Sequence, residues 1–290
     1  MISQIKKWIP LHKLLAAYCL FTIFLSFSPR IMLLNEWVFY IPKLIILSTI
    51  FSWFFLTKHL SLKGLRYLNA ILGIGFLGFF YNETGQLNHL FFRPIDPFLI
   101  SLEEWLFGLQ PSIWLSSKYT GLIITELMNM GYLSYYFILI GFVLTSLYRK
   151  PDQFDYLLFI LSHSFIVYYL IFIFIPSWGP QFYFTSPDNQ APNGIFFQKI
   201  IAFIQMNGEA TTGAIPSSHV GITIIVLLLA YRNFRNFFWG ILPFALILIC
   251  STVYIKAHYF VDVIAGIISA PPILFLSQKT WKLLNKPSYN

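Results

Sequence analysis

Charge is what this sequence has least of. Only 10% of its 290 residues are Asp, Glu, Lys or Arg, and the 11 acids are outnumbered by 19 bases. Soluble domains carry about 25% charged residues, so a water-facing surface for a chain of this size is missing. Cysteine is nearly absent too. Cys19 and Cys250 both fall inside apolar runs, which excludes a disulfide framework and leaves the redox compartment unread. Internal repeats, low-complexity tracts and Gly/Ser linkers are lacking, so one compact helical unit is the simplest organisation.

What is abundant is apolar surface, with 57% hydrophobic and 20% aromatic residues. A bilayer core about 30 Å thick needs roughly 17 to 25 apolar residues per helix. Eight such runs are expected as membrane helices, at about 13–29, 38–57, 67–82, 120–147, 156–176, 216–231, 237–255 and 258–277. The fold class is therefore an all-α, polytopic membrane bundle. Lys6, Lys7 and Lys13 ahead of the first run resemble the start of a signal peptide. No small-x-small cleavage site follows, so that run is read as a helix.

Eight spans put both termini on one side, with the loops at 58–66, 148–155 and 232–236. That side holds thirteen of the 19 lysines and arginines, and the other side holds five: Arg30, Arg93, Lys118, Lys199 and Lys256. Lys43 lies within the second run and is expected to snorkel to its outer end. The positive-inside rule then places the termini in the cytoplasm and the segments 83–119 and 177–215 outside it. The +8 net charge follows from this topology and from attraction to anionic lipid. With no basic stripe, nucleic acid is excluded as a partner.

Ionisable residues at membrane depth are costly, so each is a candidate for function. Glu126 and His163 are expected to hydrogen-bond neighbouring helices. His219, His258 and Asp262 all fall at the non-cytoplasmic ends of their helices. In YIKAHYFVDVIAG, His258 and Asp262 are four apart and share a helix face, where the carboxylate can orient the imidazole and leave its other nitrogen free to attack. In GAIPSSHVG, Pro216 suits a first helical turn, while Ser217 and Ser218 suit a cap. A helix amino terminus with small hydroxyls favours phosphate, and His219 would stand beside it. These groups suit phosphoryl transfer through a phosphohistidine, one imidazole attacking and the other protonating the departing oxygen. Metal binding is the competing use of two His and one Asp. It has few ligands here and no zinc-like spacing.

At these residues the sequence resembles the phosphatidic acid phosphatase type 2 superfamily. GAIPSSHVG is similar to that family's second motif and STVYIKAHYFVDVIAG, residues 251–266, to its third. PSWGPQFYF (176–184) and RPIDPFLISLEEWLFG (93–108) resemble the inositol phosphorylceramide synthase branch. The resemblance implies a six-helix catalytic core at 66–277, preceded by two additional helices within 1–65 and followed by a basic tail at 278–290. It implies His258 as nucleophile, Asp262 as its orienting partner and His219 as general acid, with Ser217, Ser218 and Gly179 in the phosphate cradle. Where the family has arginines in its first and third motifs, this chain has Gln181 and Thr252. Gln181, Lys256 and backbone donors are expected to meet the phosphate charge instead. Losing bidentate guanidinium contacts gives weight to a phosphodiester substrate or a transfer outcome.

The expected function is a lipid phosphatase or phosphotransferase in the membrane, bacterial and cytoplasmic by expectation, acting at its periplasmic or extracellular face. Its substrate is a membrane lipid phosphate, its acceptor water or an alcohol, and no cofactor or metal is required. A head-group transferase like inositol phosphorylceramide synthase is the nearest alternative. A non-catalytic lipid transporter or binding protein is the alternative of another class; keeping three catalytic groups argues against it. The segment 94–108 reads as an amphipathic helix with Phe98, Leu102, Trp105 and Leu106 toward lipid. The stretch 185–214 reads as a polar cover over a head group, through Asp188, Asn189, Asn193, Asn207 and Glu209.

Overall fold

A computed structural model describes residues 9–28, 40–185, 192–208 and 210–285. Every regular element among them is helical. In chain order they are α1 Pro10–Ser26, α2 Ile41–Phe51, α3 Trp53–His59, α4 Leu62–Ala70, α5 Leu77–Leu87, α6 Asp96–Phe107 and α7 Pro111–Lys118. There follow α8 Leu122–Arg149, α9 Phe154–Phe174, α10 Pro180–Tyr183, α11 Phe197–Gly208, α12 Ser218–Asn233, α13 Arg235–Tyr254 and α14 Phe260–Leu284.

Five helical stretches are long and apolar enough to cross a bilayer: Leu62–Leu87, Leu122–Arg149, Pro151–Phe174, Arg235–Tyr254 and Phe260–Leu284. Shorter apolar helices, α1, α2 and α12, fall in the remaining three expected runs. The third span is longer than its apolar run, because a π-helical turn at Ile71–Gly75 joins α4 to α5. Its polar ends find partners. Ser61 caps α4 through the Gly64 N–H. Asn69 bridges His12 and Asp155 at 3.1 Å each. Glu83 pairs with Lys43 at 2.5 Å. That pair corrects the expectation of a snorkelling lysine: both side chains are fully buried, because α5 offers Lys43 a carboxylate partner inside the bundle.

The loops rich in Lys and Arg collect at one end of the bundle. There Lys13 donates to the Leu284 carbonyl at 3.2 Å, Lys150 to Asn233 at 3.1 Å, and Arg66 lies 3.8 Å from Asp152. The centre is α9, packed against α1, α5, α12 and α14, with 78% of its most apolar window buried. A helix apolar all round belongs in such a place. Phe24, Phe137, Ile268 and Phe275 face outward, as a lipid-facing surface requires.

Lipid tails are as apolar as leucine, so close packing decides which helices meet. Gly131 lets α8 lie directly on Ser251 and Ile247 of α13. Gly266 does the same for α14 and the start of α12: a Cβ there would stand 2.7 Å from the Ser217 carbonyl. That contact brings the amino ends of α12 and α14 together, and with them His219 and His258.

Candidate active site

The site lies at the end of the bundle opposite the basic loops, where three short strings are knitted by backbone bonds. The Ser217 N–H donates to the Asp262 carbonyl at 3.0 Å, tying α12 to α14. The Gln181 N–H donates to the Lys256 carbonyl at 2.9 Å, and the Ile215 N–H to the Ser177 hydroxyl at 2.9 Å. Lys256 takes the left-handed conformation, φ 65°, which is uncommon for a residue with a side chain and turns the chain tightly ahead of His258. Gly179, φ 89°, sits where a Cβ would come within 3.0 Å of the Ala257 carbonyl.

His219 and His258 meet inside this knot, His219 Nδ1 lying 3.2 Å from His258 Nε2. His258 is nearly buried, and its Nδ1 donates to the Ala214 carbonyl at 2.8 Å. A carbonyl only accepts, so the proton of a neutral His258 ring sits on Nδ1 and the lone pair on Nε2. Asp262 does share the helix face with His258, at 3.7 Å from Nδ1, beyond a hydrogen bond. Its Oδ2 instead accepts the Tyr259 N–H at 2.8 Å, in a reciprocal cap that starts α14. The Ala214 carbonyl thus fixes the tautomer, with the Asp262 carboxyl beside the ring.

Ser217 is the N-cap of α12, its hydroxyl accepting from the Val220 N–H at 3.3 Å, so Pro216 precedes the cap rather than entering the first turn. Ser218 lines a slot with both histidines, Gln181, Trp178, Tyr81, Tyr132, Thr212, Gly213 and Ala257. The slot holds about 10 Å³, near the space of one water. Beyond Gln181 it adjoins a chamber of about 240 Å³ lined by Gln181, Phe182, Gln205, Met206, Tyr254, Ile255 and Lys256. Gln205 of α11 donates to the Gln181 side-chain oxygen at 2.6 Å at that junction. Of the expected cradle, Ser218 and Gln181 line the slot and Lys256 the chamber. Ser217 supports from behind, and the Gly179 N–H is taken up by Asp96 at 2.9 Å. Trp178 Nε1 is a buried donor with no hydrogen-bond partner among the described residues.

The segment 94–108 forms α6, and Phe98, Trp105 and Leu106 are exposed on it as its pattern predicts, whereas Leu102, expected toward lipid, is half-buried against the cluster of Leu99, Tyr259 and Val261. Its other face carries two buried acids whose role sequence reasoning missed. Asp96 accepts from the Trp178 and Gly179 N–H groups and from the Tyr259 hydroxyl at 3.1 Å. Glu103 accepts from the Phe260 and Val261 N–H groups at 2.5 and 3.1 Å, the open donors at the start of α14. Burial pushes the Glu103 carboxyl up to about 7, with the two backbone donors opposing the shift. Seven residues apart and opposite the lipid-facing aromatics, these acids gave a signal: acids on a helix that otherwise meets lipid need a partner inward.

Glu126 and His163 lie outside the slot. Glu126 caps α11, accepting from the Ile195, Phe196 and Phe197 N–H groups at 2.6, 3.2 and 2.7 Å. His163 Nδ1 meets Ser277 of α14 at 2.8 Å. The expected polar cover contains α11, and Asn193 is exposed ahead of it; Asp188, Asn189, Glu209 and the Asn207 side chain lie outside the described residues. Among the described residues, no group of three or more His, Cys, Asp or Glu is arranged to hold a metal ion.

A family model described as the PAP2 superfamily matches residues 97–275, more than half of the chain. The chain belongs to the PAP2 superfamily. Members of this superfamily are generally phosphatases, and the membrane-type helices agree with a membrane-bound member. No curated protein and no solved structure matches the chain. The PAP2 match takes in α12 and α14 with both histidines and Asp262, whereas α1 to α5 and Asp96 lie ahead of it.

Proposed function

We propose that the protein is an integral membrane lipid phosphatase that works through a phosphohistidine at His258. The observation that carries this is the 3.2 Å contact between His219 Nδ1 and His258 Nε2 in a slot at a helix amino terminus. The Nε2 lone pair of His258 attacks phosphorus, and the bond to the lipid oxygen breaks with its electron pair on that oxygen. Protonated His219 supplies the proton that completes the departing alcohol. Neutral His219 then takes a proton from water as the water attacks phosphorus, and the nitrogen–phosphorus pair returns to His258. Asp262, 3.7 Å away, balances the positive charge that the His258 ring gains. Ser218, Gln181 and the Trp178 indole N–H meet the phosphate oxygens, with Lys256 as the nearby cation in place of the family arginines. The rings must separate to admit phosphate, since the slot takes only about one water. By the positive-inside rule the site faces away from the cytoplasm.

One observation favours a second outcome, transfer of a head group to an alcohol: the chamber of about 240 Å³ beside the slot has room and amide groups for an acceptor. A single experiment addresses both. Purified protein is incubated with a panel of lipid phosphates and phosphodiesters, with and without candidate alcohols, in the presence of chelator. Release of phosphate with the dephosphorylated lipid is expected. A new phosphodiester of matching mass would assign transfer. Absence of turnover of every member, or activity restored only by added divalent metal, would overturn the reading.

A further inference from the structure

His219 is held by α8 as well as by its own helix. Tyr132 and Tyr135 stand one turn apart on α8, with ring centroids 4.9 and 4.5 Å from the His219 imidazole. Tyr132 is fully buried, and its hydroxyl lies 3.1 Å from His219 Nε2. The direction of that bond follows from the other end of the chain of contacts. The Ala214 carbonyl requires the His258 proton on Nδ1, which leaves His258 Nε2 as an acceptor. His219 Nδ1, at 3.2 Å, must then be the donor to it. In a neutral His219 ring, Nε2 is the remaining acceptor, and the Tyr132 hydroxyl donates to it.

The resting arrangement therefore occupies the nucleophile's lone pair with the N–H of its own general acid. It also sets a demand on Tyr132. When protonated His219 gives its Nδ1 proton to the departing oxygen, the ring left behind carries its proton on Nε2 and donates toward Tyr132. The same hydroxyl must donate to His219 in the resting state and accept from it after transfer. A tyrosine hydroxyl does both.

We infer that Tyr132 is a positioning residue for the proposed reaction, a two-way hydrogen-bond partner that keeps His219 Nδ1 aimed at His258 and the departing oxygen in either protonation state. The inference rests on the phosphatase reading and concerns the acid half of the step. It does not bear on the attack by His258. Tyr132→Phe keeps the ring and its packing against His219 while removing the hydroxyl.

The test compares two substrates in the full-length purified protein: an alkyl lipid phosphate, whose alkoxide must be protonated to leave, and an aryl phosphate, whose phenolate leaves without a proton. General acids typically contribute about 10²- to 10⁴-fold, so Tyr132→Phe is expected to lower the first-turnover rate of alcohol release from the alkyl substrate about 10- to 100-fold. With the aryl substrate the first-turnover rate of phenol release, which precedes the water step that His219 also serves, should stay within about twofold of wild type, since that release needs no proton. His219→Ala should show the same selectivity in the first turnover, more strongly, with later turnovers slowed for both substrates because the water step loses its base. Equal losses of first-turnover rate on both substrates would reduce Tyr132 to a packing residue and overturn the inference. So would unchanged alkyl turnover. Undiminished turnover of both substrates by His258→Ala would instead sink the phosphatase reading itself, which keeps the two failures apart.

Discussion

Two regions of this molecule bury ionisable side chains within the bundle, and they are built differently. Lys43 and Glu83 form a fully buried pair between α2 and α5, bordered by α1, and neither lines the slot or the chamber. His219 and His258 meet equally directly, yet they border a slot that opens toward a chamber of about 240 Å³. In the first region each charge is matched by the other. In the second, the two imidazole rings are held by a carbonyl, a hydroxyl and each other, beside open space. Burial of a polar group marks chemistry where adjoining space comes with it. Where it does not, it marks a fastener.

The largest expected contrast is in turnover. His258→Ala should reduce kcat by about 10⁴-fold or more, as loss of a covalent nucleophile does. Lys43→Met should leave turnover per folded molecule within about twofold of wild type. Assays of purified protein, normalised to the monodisperse fraction, decide this, and a catalytic defect in Lys43→Met would erase the distinction between the regions.

Stability should show the reverse. Removing one partner of a buried pair strands the other, so Lys43→Met should cost about 3–5 kcal/mol. The double change Lys43→Met with Glu83→Leu should recover most of that loss, since an apolar pair carries no desolvation penalty. Thermal or denaturant unfolding in detergent reads both. A double variant no better than the single would mean that the two residues do not act as a pair.

The smallest effect belongs to Glu103, which borders the site without lining it. Its carboxyl is raised from the ordinary 4.5 to about 7 by burial, so the fold favours the protonated form. The associated stability is present at low pH and is lost as pH rises through the folded value. Glu103→Gln mimics the protonated acid. Its melting temperature relative to wild type should therefore climb between about pH 5 and 8, by a few degrees. A difference that stays flat across that range would refute the assignment.

Much of this architecture was legible in the residues. Long apolar runs located the helices, and the charge census grouped loops that do meet at one end of the bundle. The strings around His219 and His258 stood out because small hydroxyls and histidines are rare at helix starts in so apolar a chain. Other features were hidden for physical reasons. Every residue carries a backbone carbonyl, so no pattern distinguishes Ala214 as the partner of His258. Glu83 escaped notice because the apolar run ended at 82, one residue short of it, while the helix continued to Leu87 through its π turn. Lys43 then lacked a visible partner and was expected at the interface. Asp96 and Glu103 read as the polar side of a surface helix until the structure turned them inward. Tyr132 was one aromatic among many in α8, and only the position of its hydroxyl sets it apart.

The central claim is that His258 becomes phosphorylated, and trapping tests it most directly. A single turnover of substrate labelled in its phosphoryl group is stopped in alkali, where phosphohistidine survives, and the peptides are mapped. Label on the peptide carrying His258, absent from His258→Ala, is predicted. Label on another residue, or full phosphate release by His258→Ala, would contradict the account.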